Sequence, residues 1–266
     1  MSTVNIDAVS ALIAEVAARE IQPRFRCLAA HEMREKGPGD VVTIADEQAE
    51  LALTPLLMAQ LPGSIVVGEE AAAKQPELLK RLDEGQYAWI VDPVDGTANF
   101  AEGKEEFCSM VALAKGDELI GAWIHLPTTG ETAASERGGG VHFAGKRLPP
   151  LQPAAEPPSG IIAVGKRGGP DLVARANALR KDVRQVKSLR CAGLDYLRLA
   201  RGELDFALFS GVMPWDHAPG ALILEELGGR ASYADGSAYR PSRALTANGV
   251  LTARSAAVWQ FIIDRL

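Results

Sequence analysis

The chain has 266 residues, a formal net charge of −6, 47% hydrophobic residues and 23% charged residues. That length buries a large core, as one large domain or two modest ones, and the composition is that of an ordinary globular protein. The acidic balance argues against a general nucleic-acid surface, which needs a basic excess, and the absence of any run of about 18 apolar residues excludes a membrane-spanning helix. Asp7 and Glu15 interrupt the apolar residues of the N-terminus, so it does not read as a secretory signal. The three cysteines, Cys27, Cys108 and Cys191, are far apart and lack metal-ligand spacing; reduced thiols in a cytoplasmic protein are expected.

Residues 4–35 read as helix from the spacing of Val4, Val9, Leu12, Ile13, Val16 and Ala17, interrupted at Pro23, with His31 on the helix surface. Lys36-Gly37-Pro38-Gly39 is a turn-rich loop suited to closing over a ligand. Lys36 serves there as a phosphate contact, as a neighbour of a metal site, or simply as a solvated loop lysine. Val41 to Ile44 is β-branched and extended, and Asp46 to Leu57 is helical. Asp46 and Glu50 share a helix face. They form either a solvated acidic first turn favoured by the helix dipole or a pair that needs a cation or donor nearby. Ile65-Val66-Val67 is a short strand ending at Gly68-Glu69-Glu70, a placement open to ligand binding and to plain surface exposure alike. Residues 71–85 read as an exposed connection.

The stretch Trp89 to Phe100 carries the densest signal. Its apolar first half predicts a buried strand stopping at Pro93. Asp92 and Asp95 follow, and Gly96-Thr97 opens a helix. Carboxylates bind hard cations through oxygen, and the free N–H groups of Gly96 and Thr97 can face an anion. Taken alone, the Asp-Gly pair reads equally as a turn capped by its own side chain. Phe107 to Ala114 and Leu119 to His125 predict an antiparallel pair, and Glu131 to Ser135 a further strand. Arg137 to Phe143 is a glycine-rich hairpin and not a nucleotide loop, since no Gly-Lys-Ser/Thr follows.

Five prolines in residues 149–158 mark a linker. The expected division is an α+β unit over 1–151 and an α/β unit over 152–266 that completes a cleft. In the second unit Ile161 to Gly165, Val183 to Leu189 and Leu204 to Phe209 read as strands. Asp171 to Lys181, Leu194 to Arg201 and Asp216 to Leu227 read as helices, the alternation of an α/β layer. Trp215-Asp216 is compatible with a helix N-cap as well as with a site.

Gly68-Glu69-Glu70, Asp92-Pro93-Val94-Asp95-Gly96-Thr97 and Trp215-Asp216 together resemble the signature set of the inositol monophosphatase family. Its members are magnesium-dependent, lithium-sensitive phosphatases related to fructose-1,6-bisphosphatase and to bisphosphate nucleotidases. Order and spacing match from about Lys36 to Gly229. The resemblance implies an α/β chain folded as a layered αβαβα sandwich, and a homodimer. It implies two to three Mg²⁺ per site, held by Glu69, Asp92, the Val94 carbonyl, Asp95 and Asp216, with Asp92 bridging. Asp46, paired with Thr97, would orient or deprotonate the attacking water, and Glu70 would support the ligands. Lys36, Asp95, Gly96, Thr97 and Ala192 would meet the substrate, and Arg190, a departure from the family pattern, is a further candidate. The chemistry fits the donors. A phosphate monoester repels hydroxide, and two cations about 3.5–4 Å apart neutralise it without a covalent phosphoenzyme.

Two departures bear on substrate. Inositol-hydrolysing animal members carry a Glu seven residues before the last metal-binding Asp, where this chain has Phe209, or Ser210 one step on. The small Gly-Thr/Ser preceding Ala in the family is replaced by Arg190-Cys191-Ala192. Arg190 is either a bidentate contact to a second anion or a surface arginine. A sugar bisphosphate, a 3′-phosphonucleotide or histidinol phosphate therefore stands beside inositol phosphate, with Lys166, Arg167 and Arg190 as basic contacts. His217, adjoining Asp216, is a further substrate-contact candidate. A metal- or phosphate-binding regulator without catalysis is the reading from another class; the complete acid set, with Thr97 and Asp46, argues against it.

Overall fold

The computed structural model describes residues 4–37, 40–152 and 156–266. Helix α1 (Ile6–Val16) opens where the Asn5 side chain accepts the Ala8 N–H, and it continues through a wider turn over Ala17–Ile21. Pro23, in a 3₁₀ turn over Gln22–Arg24, ends it. The expected helix to residue 35 therefore stops short. His31 lies in an exposed 3₁₀ turn, and strand β1 (Met33–Gly37) pairs antiparallel with β2 (Asp40–Thr43). The Pro38-Gly39 half of the expected loop lies outside the described residues.

Helix α2 (Ile44–Gln60) leads to β3 (Ile65–Gly68) and α3 (Glu69–Lys74). The segment expected to be an exposed connection is an amphipathic 3₁₀ helix over Pro76–Asp83 that buries Leu79 and Leu82. Strand β4 (Tyr87–Asp95), helix α4 (Thr97–Ala101) and strands β5 (Cys108–Lys115), β6 (Glu118–Leu126), β7 (Glu131–Glu136), β8 (Gly140–Phe143) and β9 (Lys146–Arg147) follow. The seven strands β3 to β9 form one sheet in sequence order, parallel between β3 and β4 and antiparallel elsewhere.

The second half contributes β10 (Ser159–Ala163), α5 (Gly169–Leu179), β11 (Arg184–Gln185), α6 (Ala192–Ala200), β12 (Phe206–Phe209), α7 (Pro214–Glu226), β13 (Arg230–Tyr233), β14 (Val250–Ala253) and α8 (Ala256–Ile263). Its five-stranded sheet has the order β11-β10-β12-β14-β13, with β14 antiparallel to both neighbours. Only Arg184–Gln185 of the expected strand over 183–189 pairs.

Strand periodicity assigns the faces. Trp89, Val91, Val111 and Leu113 face α1 and α2, which present Val9, Ile13, Leu53 and Leu57. Ile90, Ala112, Ala114 and Ala122 face the other way, onto Ala218, Ala221 and Leu222 of α7, which also meet Ala207 and Phe209 of β12. Phe206, Leu208 and Leu251 point outward onto α5 and α8. The result is five layers, αβαβα, with α6 and α7 between the sheets. The inner layer is thin because its residues are small: a Cβ on Gly220 would lie 2.1 Å from the Tyr196 ring.

Candidate active site

The site forms where β3 and β4 end, opposite the first turn of α7. Strand β4 does not stop at Pro93 but runs on to Asp95 through an irregularity, so that Asp92 faces Met110 and Asp95 faces Cys108. The slip suits Pro93, which has no N–H for the ladder; its carbonyl accepts from Ser109 Oγ instead, at 2.8 Å. The Val94 N–H turns back to Asp92 Oδ1 at 3.0 Å. Gly96 then makes the corner with φ of 86°, and a Cβ there would sit 2.7 Å from the Glu106 carbonyl. Thr97 Oγ1 lies 2.8 Å from the Val94 carbonyl and 2.9 Å from Asp46 Oδ1.

Asp46 stands in the first turn of α2 and is buried. Its Oδ2 accepts from both the N–H and the hydroxyl of Thr43, at 2.9 and 2.6 Å. Burial pushes its pKa up to about 7, partly offset by the Thr43 bonds and reinforced by the Glu69 carboxylate. The solvated-turn reading of Asp46 and Glu50 does not hold, since both are buried. Glu50 caps α3: its carboxylate accepts from the N–H groups of Glu70 and Ala71 at 2.8 and 2.7 Å. Gly68 makes room for it, because a Cβ there would meet the Glu50 carboxyl at 2.3 Å. Burial raises Glu50 to about 7 despite those two bonds.

Glu69 and Glu70 thus enter from the capped end of α3. Lys36 joins both, with Nζ 2.6 Å from Glu69 Oε1 and 2.9 Å from Glu70 Oε1. Burial works against the lysine charge, but Glu69 and then Glu70 outweigh it and raise its pKa. Glu70 Oε2 is buried with no hydrogen-bond partner among the described residues. Asp216 occupies the first turn of α7; the N-cap is Met213, so Asp216 is not the cap.

These acids converge on Asp92. Its pKa is raised well above the usual carboxylate range by burial and then by the charges of Glu69, Asp95, Asp216 and Asp46. Asp95 is held from the far side: its Oδ2 accepts from the Gly193 N–H at 2.6 Å and from Cys191 Sγ at 3.0 Å, and the Ala192 backbone also donates to it. Burial raises Asp95 as well, against those bonds. Burial pushes Cys108 up to about 11 and raises Cys191, so neither thiol is a nucleophile near neutral pH.

An open cavity of about 690 Å³ leads to the cluster, lined among others by Lys36, Glu69, Arg167, Met213, Trp215 and Asp216. Arg190 is exposed and is not among the residues lining the cavity; its guanidinium lies 3.9 Å from Glu102 and its φ is 58°. Phe209 is not a cavity wall: it is buried beside Tyr196 and His217, and Ser210 lines the cavity in its stead. His217 is enclosed, its Nδ1 paired with the Tyr196 hydroxyl at 3.1 Å and its Nε2 with the Gly211 carbonyl at 2.9 Å. Burial lowers its pKa to about 4. It therefore anchors the Gly211 loop and does not face the cleft. Sequence reasoning missed the cap made by Glu50; of its three basic-contact candidates, Arg167 is the one found on the cavity wall. The sole signal for the cap was the spacing of Glu50 from Asp46.

The sequence model of the inositol monophosphatase family matches residues 3–263. An inositol-1-monophosphatase of Rhizobium meliloti (strain 1021) is 33% identical over 206 residues, covering 76% of this chain and 75% of that protein. A fructose-1,6-bisphosphatase/inositol-1-monophosphatase of Aquifex aeolicus (strain VF5) is 27% identical over 225 residues, covering 83% of each. In fold, an IMPase of Thermotoga maritima superposes with a TM-score of 0.79 at 22% identity, covering 97% of this chain and 95% of that one.

Proposed function

The chain belongs to the inositol monophosphatase family, a family of metal-dependent phosphoric monoester hydrolases, and from that premise we propose that it is a Mg²⁺-dependent phosphomonoesterase acting on a small phosphorylated metabolite. The observation that carries this reading is the convergence of Glu69, Asp95, Asp216 and Asp46 on buried Asp92. Like charges at this density, with Lys36 answering Glu69 and Glu70, are stable only as protonated acids or around cations. The donors are hard oxygens, and the orphaned Glu70 Oε2 adds one more, so the set fits Mg²⁺.

Glu69, Asp92, Asp95, Asp216 and the Val94 carbonyl would hold two to three ions. When bound, the ions supply charge neutralisation of the phosphate and acidification of water. The chain's own groups do the rest. Asp46, buried and hydrogen-bonded to Thr97, accepts the proton of the attacking water. Thr97 holds that water in line. The N–H groups of Gly96 and Thr97 receive phosphate oxygens. Lys36 keeps Glu69 and Glu70 in place until substrate arrives.

The cavity wall bears on substrate. Arg167 and Lys36 face the same space as Glu69. A leaving group with a second anion, as in a sugar bisphosphate or a 3′-phosphonucleotide, is the second reading they favour; histidinol phosphate lacks one. Family membership also supports lithium inhibition and a homodimer. Among the described residues no helix is long and apolar enough to cross a membrane. Phosphate release from inositol 1-phosphate, fructose 1,6-bisphosphate, 3′-phosphoadenosine 5′-phosphate and histidinol phosphate, each with and without Mg²⁺, tests both readings. Preference for a monophosphate would remove the role given to Arg167. Absence of turnover on all four would remove the small-metabolite reading.

A further inference from the structure

Behind the acid cluster, on the side away from the cavity, lies a second set of donors that the phosphatase reading does not use. Cys108 on β5 and Cys191 just before α6 are 83 residues apart in the chain, yet their sulfurs lie 3.6 Å from each other. Asp95 Oδ2 completes a triangle, 3.0 Å from Cys191 Sγ and 3.6 Å from Cys108 Sγ. Both thiols are buried and unoxidised. A tetrahedral zinc site with Zn–S of about 2.3 Å and Zn–O of about 2.0 Å has S···S and S···O edges of about 3.8 and 3.5 Å. The triangle of Asp95, Cys108 and Cys191 matches those edges to within about half an ångström. All three donor atoms fall within 4.8 Å of one another.

We propose that Asp95, Cys108 and Cys191 form a site for a thiophilic divalent cation such as Zn²⁺, and that its occupation switches off the hydrolase by taking Asp95 from the Mg²⁺ cluster. Soft thiolates select Zn²⁺ over Mg²⁺, while the neighbouring oxygens suit Mg²⁺, so two cations of different character compete for one carboxylate. Binding displaces one proton from each thiol to water; no bond is oxidised or reduced. The Gly193 N–H on Asp95 Oδ2 offsets part of the negative charge gathered by two thiolates and a carboxylate. The fit is fixed from behind: a Cβ on Gly193 would lie 2.4 Å from Cys108 Sγ and 2.9 Å from Met110 Sδ, so the backbone at this point is packed against the sulfurs. Asp95, itself buried at 8% exposure, is the member of the three most open to solvent. The inhibitory half of the proposal rests on Asp95 serving the Mg²⁺ cluster; the site itself does not.

The test uses the full chain, freed of metal and kept reduced with a phosphine. Co²⁺ is the probe, because thiolate-to-cobalt charge transfer absorbs in the near ultraviolet and oxygen-only sites do not. The expected result is a band that saturates at one equivalent, is bleached by one equivalent of Zn²⁺, persists in Cys27→Ser, and is lost in Cys108→Ser and in Cys191→Ser. Absence of the band from the wild-type chain, or its survival in both buried-cysteine variants, overturns the site. In parallel, Zn²⁺ near stoichiometry is expected to lower Mg²⁺-supported phosphate release at least tenfold in wild type. The inhibitory concentration is expected to rise at least tenfold in Cys191→Ser, relative to that variant's own rate. A saturating band without inhibition upholds the site and overturns the sharing of Asp95 with Mg²⁺.

Discussion

Thr97 Oγ1 and Asp46 Oδ1 lie 2.9 Å apart, joining the corner after β4 to the first turn of α2 across 51 residues of chain. The hydroxyl has one proton and two neighbours, since the Val94 carbonyl is 2.8 Å away. When Asp46 is ionised it accepts that proton. When Asp46 is protonated it donates to Thr97, which turns to Val94. The pair therefore takes up a proton while keeping the Thr97–Asp46 hydrogen bond, with the Thr97 proton freed for the Val94 carbonyl, which suits a base acting on water. Asp46→Asn keeps the shape and one acceptor oxygen but removes the basic carboxylate. It is expected to lower kcat by about 10²–10⁴-fold with KM within a few-fold, measured by steady-state phosphate release. Retention of kcat within threefold would take the base role from Asp46.

The metal-free chain should become less stable as pH rises. Asp46 has an ordinary value of 3.8 and Glu50 one of 4.5, and burial raises both to about 7 in the fold. A raised acid binds its proton more tightly when folded, so its contribution is fully present below about pH 4 and is lost as pH rises through about 7. Asp92 adds in the same direction. Melting curves without metal should show Tm falling between pH 5 and 8. Saturating Mg²⁺ should raise Tm more at pH 8 than at pH 5, because ions replace protons on the same oxygens. A metal-free Tm that rises over this range would contradict the protonated-acid description.

Lys36 is bonded to Glu69 and Glu70 at 2.6 and 2.9 Å. Lys36→Met leaves two carboxylates facing the remaining acids without that charge. We expect a lower metal-free Tm, and a half-saturating Mg²⁺ concentration several-fold below wild type, since the cation no longer competes with an ammonium. Weaker Mg²⁺ activation in the variant would mean that Lys36 orders Glu69 for the metal and does not compete with it.

Glu50 acts one step back. Removing it by Glu50→Ala strips the N–H groups of Glu70 and Ala71 of their acceptor, at a cost of about 1–3 kcal/mol for the buried donors. Chemical denaturation should show that loss, and Mg²⁺ activation should shift to higher concentration by about tenfold or more. Glu50→Gln keeps one acceptor oxygen and should recover part of both. An alanine variant with unchanged Mg²⁺ activation would separate the cap from the metal site.

The layered fold was legible where the chain alternates strongly. Trp89 to Val91 and Cys108 to Ala114 announce buried strands, and the acids at 69, 92, 95 and 216 stand at the element ends where the fold needs no side chain for packing. Elsewhere the signals were weak for physical reasons. Arg34-Glu35-Lys36 has no β-prone residue, and its strand exists through pairing with Val41 to Thr43. The 3₁₀ helix over Pro76–Asp83 shows only Leu79 and Leu82 as buried anchors. Phe209 and Ser210 are neighbours on a strand end, so a register uncertainty of one residue decides which of them meets the cavity. The approach of Cys108 to Cys191 is a product of topology, and no spacing along the chain encodes it.

Mg²⁺ titrations of wild type and Asp92→Asn, followed by calorimetry and by phosphate release on the best substrate of the four, probe the metal-dependent site itself. Asp92 is the residue on which the other acids converge, and asparagine keeps its volume while removing its charge. At least two Mg²⁺ are expected per wild-type chain, with turnover that depends on them. In the variant, weaker binding is expected and a fall in turnover of about 10³-fold or more. Turnover in wild type without divalent metal, or an Asp92→Asn variant that binds Mg²⁺ and turns over like wild type, would contradict the Mg²⁺-dependent reading.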